Sequence, residues 1–127
     1  MVSVPTQTDI EQLADAAVAT WRDIWIELSP VIGPAGVAAL FQRSLFLQAV
    51  EYPWLANVSE PPLRGEFDTL RGELLRQTKA DAAAANDALL QTLVQVLSTL
   101  IGAALTMRLL QPVWEKHGHT TQDPSAA

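Results

Sequence analysis

The chain has 127 residues, the length of one domain with one core. Hydrophobic residues make up 49% and charged residues 17%, which excludes a disordered chain, because burial on this scale can offset chain entropy. The net charge of −6 has the wrong sign for neutralising phosphates, so nucleic acid is not an expected partner. With no cysteine, the chain has no disulfide, no thiolate nucleophile and no Cys-bound zinc. No basic stretch followed by an apolar run opens it, and the expected location is the cytoplasm.

No segment alternates with period two between turns, so the expected class is all-α: a four-helix up-and-down bundle with a long apolar C-terminal helix. The first helix is expected from Thr8 to Leu28. Thr8 and Glu11 have capping-box spacing, and Ile10, Leu13, Ala14, Ala17, Trp21, Ile24 and Leu28 share one face. Ser29 to Pro34 breaks this pattern, and Pro34 suits the first turn of a second helix that runs to about Glu51. In that helix Arg43 is the lone charge before Val50. Val37, Leu40, Phe41, Leu45, Phe46, Leu47 and Val50 spread around its circumference, as in a helix covered on several sides.

Tyr52 precedes Pro53 and is pushed out of the α region, leaving an aromatic loop, Tyr52-Pro53-Trp54-Leu55. A third helix is expected from Pro61 and Pro62, with Ser59 as cap and Leu63, Phe67, Leu70 and Leu74 facing inward. Its outer face, from Arg64 to Arg76, alternates in charge and reads as solvated. Asn86 and Asp87 are the expected turn before the last helix; Asp81 as the cap and a single bent helix are the alternatives. The last helix is expected over Asp87 to Arg108, ending or kinking near Leu110 because of Pro112. Residues 1–116 are expected to form the domain and 117–127 a flexible polar tail whose removal should leave stability nearly unchanged. No internal repeat is evident.

Ala88 to Met107 carries no charge and is long enough to cross a bilayer. Gln91, Gln95, Ser98, Gly102 and Thr106 along one side argue against a membrane span and for a core or interface helix, with small residues admitting a close neighbour. Trp21 reads as core, while Trp25 and Trp54 read as closing the bundle's end or lining a pocket. Trp114 reads as docking on the domain or meeting another chain. Arg43 reads as a snorkelling side chain, with an anion partner as the alternative.

His117 and His119 read as solvated tail residues, too few for a tetrahedral zinc site. No histidine stands within a core helix to serve a triad, a haem or a phosphotransfer site. No phosphate-cradling motif occurs, and no Glu-x-x-His pair marks a di-metal bundle. The expectation is a non-catalytic, cofactor-free interaction or regulatory module that forms a homodimer or meets another protein through Leu93, Leu97 and Gly102. The alternative is a binder of an apolar or anionic small molecule, with Trp25, Arg43, Trp54 and Trp114 as candidate contacts.

Overall fold

The computed structural model describes residues 6–58 and 66–117, with side chains from Asp9. The described residues are helical, with no strand among them: α1 (Thr6–Gln48), a 3-10 helix (Pro53–Asn57), α2 (Asp68–Leu75), α3 (Lys79–Ile101) and α4 (Ala103–His117). The all-α expectation holds.

The helix boundaries differ from those expected, each for a local reason. α1 starts at Thr6, ahead of the expected capping box, and the Thr8 side chain lies outside what is described. It runs on through Ser29 and Pro30 and breaks only at Gly33, where φ 83° and ψ 154° define a conformation open in practice to glycine alone. Pro34 then opens the second arm, as expected. The Trp21 and Phe41 rings meet at 5.0 Å, although 20 residues of straight helix would hold their backbones about 30 Å apart. α1 is therefore a hairpin folded at one residue.

The expected start of the third helix, with Ser59, Pro61, Pro62 and Leu63, lies outside the described residues. α2 itself buries Leu70 and Leu74, with Phe67 buried just ahead of it. The turn expected at Asn86–Asp87 stands instead at Arg76–Thr78. Thr78 caps α3, its hydroxyl oxygen accepting from the Asp81 amide at 3.1 Å. Asn86 sits deep inside α3, where tertiary contact overrides its turn preference: it is 7% exposed, and its carboxamide oxygen accepts from the Trp21 indole at 2.8 Å.

The expected helix from Asp87 to Arg108 is broken at Gly102 (φ 91°, ψ 150°), and α4 then passes through Pro112 to His117. Leu110 and Val113, on either side of that proline, are fully buried and hold the helix to the core. The long apolar helix accordingly lies at the N-terminal side. Among the described residues Asp9–Gln48 is the one helix long and apolar enough to cross a membrane, with a mean hydropathy of 1.6 in its best window.

The two glycine corners are related. Leu28-Ser29-Pro30-Val31-Ile32-Gly33-Pro34-Ala35 and Leu97-Ser98-Thr99-Leu100-Ile101-Gly102-Ala103-Ala104 share Leu, Ser, Ile, Gly and Ala at matching positions, 69 apart (33 to 102). Burial repeats with the same offset: Ile24 and Leu93, Leu28 and Leu97, Val37 and Thr106, Phe41 and Leu110, Ser44 and Val113 are all buried. Contacts repeat as well. Gln48 Nε2 donates to Thr92 Oγ1 at 2.8 Å, and His117 Nε2 meets Asp23 Oδ2 at 2.6 Å. Under the shift Gln48 becomes His117 and Asp23 becomes Thr92, so the two contacts exchange, which is the signature of an internal two-fold. An internal repeat is thus present, contrary to the sequence reading. It escapes inspection because the shared pattern is short and the equivalent core positions carry different apolar residues.

The connector breaks the symmetry. Phe67 lies against Phe41 (5.1 Å), Trp21 (6.0 Å) and Trp25 (6.4 Å). The equivalent positions in the second hairpin are Leu90, Val94 and Leu110. The ring cluster therefore sits where the connector supplies a fourth ring.

Candidate functional site

The residues singled out from sequence do not converge. Leu93 and Leu97 are fully buried in the core of this chain, so neither is available to a partner. Gly102 lies exposed in the α3–α4 corner, and a methyl group built on it meets no atom within 4 Å. Its role is conformational, not the close approach of a second helix. The stripe that was to continue through it ends there, because Thr106 turns inward and donates its hydroxyl to the Gly102 carbonyl at 2.8 Å.

Trp25 is half-buried, edge-on to Phe67; Trp54 is half-buried, edge-on to Tyr52 at 6.3 Å; Trp114 packs half-buried against the core. Arg43 is exposed, its guanidinium carbon 5.8 Å from the centre of the Phe46 ring, a cation–π pairing at the surface. Two depressions lined by described residues include neither a tryptophan nor Arg43.

The first depression, about 400 Å³, opens between the starts of α1 and α3 and the end of α4. Its lining includes Asp9, Thr20, Lys79, Asn86, Asp87 and His117 over a floor of Ala16, Ala17 and Ala83. Three of the polar groups at its edge, Thr20, Asn86 and His117, are already engaged in the fold. Thr20 donates to the Ala16 carbonyl, the Asn86 oxygen serves Trp21, and His117 is tied to Asp23, which Lys116 also reaches at 3.2 Å. The Asp23 carboxyl is held below the ordinary carboxylate value, chiefly by the His117 hydrogen bond. Together with Lys116, that bond outweighs the burial that pushes the other way. His117 is consequently the docked last residue of α4 and not a solvated one; His119 lies outside the described residues. Nothing in the sequence near either residue signals the contact, which spans 94 positions.

The second depression, about 240 Å³, is an apolar groove between the end of α1 and the 3-10 helix, lined by Gln42, Leu45, Phe46, Ala49, Leu55, Ala56 and Val58. Backbone bonds fix its walls. The Ala49 amide donates to Leu45 and the Tyr52 amide to Gln48, carrying helical bonding past Gln48; the Leu55 amide donates to Tyr52 and the Val58 amide to Leu55. Leu55 and Val58 are buried beneath. Phe46, which lines the groove, is 69% exposed, and beside it stand two further uncovered apolar side chains, Val50 (84% exposed) and Leu47.

The internal repeat supplies a control for this surface. The positions equivalent to Phe46 and Leu47 are Glu115 and Lys116, both exposed, and Glu115 accepts a hydrogen bond from Gln111. The same helical scaffold thus tolerates charge there, and the fold alone does not call for phenylalanine and leucine. The signal was present in the sequence as the all-round apolar character of this helix, which reads equally well as complete burial.

No protein-family model matches the chain, and neither a curated protein nor a solved structure is significantly similar to it.

Proposed function

We propose that this chain is a non-catalytic helical interaction module that self-associates, and that it does so through the end of α1 and not through α3. The observation carrying this reading is the apolar cluster Phe46, Leu47 and Val50 at an apolar groove, the first two at positions where the second hairpin carries Glu115 and Lys116. Exposed apolar patches next to a concave surface mark interaction sites. The two hairpins serve as a rigid scaffold, and the connector builds one wall of the groove.

Covering a fully exposed side chain of this kind is worth about 1.5–3 kcal/mol. Three on each copy make six in a two-fold dimer, at most about 9–18 kcal/mol, which after a cost of association of about 4 kcal/mol or more leaves room for the roughly 8 kcal/mol of a micromolar dissociation constant. Sedimentation equilibrium tests this: the wild type is expected to dimerise at tens of micromolar. Phe46→Glu is expected to sediment as a monomer with unchanged helicity, since Glu115 occupies the equivalent position. A wild-type chain that remains monomeric at those concentrations refutes the reading.

A further inference from the structure

We propose, resting on the self-association reading above, that the occupant of this surface is a second copy of the chain, its α1 end packed antiparallel about a two-fold axis at Leu47. A two-fold interface uses the same patch twice, so the patch must be complementary to itself. Phe46, Leu47 and Val50 are the apolar part of that patch.

Arg43, Phe46, Leu47, Val50 and Glu51 follow the i, i+3, i+4, i+7, i+8 spacing of one helix face, and a turn in which the Ala49 amide donates to Leu45 and the Glu51 and Tyr52 amides to Gln48 carries the last two of them on from the end of α1. With the axis at Leu47, Leu47 meets its own copy, and Phe46 and Val50 flank it on one side of the seam.

Charge selects the direction and the register. Arg43 and Glu51 lie four residues to either side of Leu47, about 6 Å along the axis at the helical rise. An antiparallel pair sets Arg43 of each copy against Glu51 of the other, twice by symmetry. A parallel pair would bring arginine to arginine and glutamate to glutamate. Both residues are exposed, and among the described residues neither makes an ion pair. Stacking on Phe46 leaves the guanidinium N–H edges of Arg43 open to a carboxylate. Another exposed apolar cluster, Leu100, Leu105 and Met107 at the second corner, has Arg108 beside it and no acidic residue between Ala88 and Trp114. It offers no such complement to a second copy.

The test is sedimentation equilibrium of the full chain at low salt with Arg43→Glu, Glu51→Arg and the double variant. Each single reversal is expected to raise the dissociation constant about ten-fold, since it places like charges together at two symmetric positions. The double reversal is expected to return it close to wild type. Because the chain has no cysteine, Leu47→Cys gives an independent readout: mild oxidation is expected to link two copies, while Gln91→Cys on the exposed face of α3 is expected to stay unlinked.

A wild type that is monomeric at tens of micromolar overturns both the self-association reading and this inference. A dimer unaffected by the single reversals, or one weakened by them and not restored by the double, overturns the antiparallel register alone. So does a dimer in which Leu47→Cys fails to cross-link.

Discussion

Alanine at the two corner glycines separates backbone conformation from packing. A methyl group at Gly33 or Gly102 meets no atom within 4 Å, so neither substitution creates a clash. What remains is the backbone, φ 83° with ψ 154° at Gly33 and φ 91° with ψ 150° at Gly102. Holding an L-residue there costs about 1–3 kcal/mol. For a chain of this length 1 kcal/mol moves the melting temperature by about 3–5 °C, so each variant is expected to melt about 3–15 °C lower. Because the two corners share one conformation, the two losses should agree to within about 1 kcal/mol. Gly72, exposed within α2 and also free of neighbours, is the control. There alanine should stabilise by about 0.5–1 kcal/mol, because it loses less chain entropy on folding. Thermal and urea unfolding followed by circular dichroism measure all three. Gly33→Ala or Gly102→Ala melting within a degree of wild type would refute the corner geometry, and a large loss at only one of them would refute the equivalence of the two hairpins.

Three further outcomes follow from buried polar groups. Asn86→Leu leaves the Trp21 indole N–H without an acceptor in the core and should cost about 1–3 kcal/mol. Combined with Trp21→Phe the loss should fall short of the sum of the two single losses, and strict additivity by urea unfolding would show that the bond contributes nothing. Asp23 titrates below its unfolded value of 3.8, so its contribution to stability is present above that value and lost as pH falls through the lower folded one. Asp23→Asn should flatten stability below about pH 4, and an unchanged acid limb would refute the His117 clasp. The Ser29 hydroxyl is buried without a partner. Ser29→Ala is expected to raise stability by about 1 kcal/mol, and a loss of that size would mean the hydroxyl is satisfied.

Local pattern in the sequence determined the helical class and most of the inward face. Ile10, Ala14, Ala17, Trp21, Ile24 and Leu28 are all buried, as their spacing requires, and so are Phe67, Leu70 and Leu74. Periodicity is local, so it is legible along one chain. The helix breaks were decided elsewhere. Pro30 and Pro112, residues expected to stop a helix, lie inside helices, while Gly33 and Gly102 end arms and Gly36 and Gly72 remain helical. Glycine permits a positive φ without requiring it, and only the burial gained by folding one arm onto the other decides which glycine turns.

The choice of surface has the same origin. Leu93, Leu97, Phe46 and Val50 are all apolar residues on apolar helices. The first two lie fully within the core, and the last two are left in water at the end of α1. An apolar side chain carries no mark of whether another element will cover it. That is set by contacts such as Gln48 with Thr92 and Asp23 with His117, which join residues 44 and 94 positions apart and appear only once the hairpins have packed.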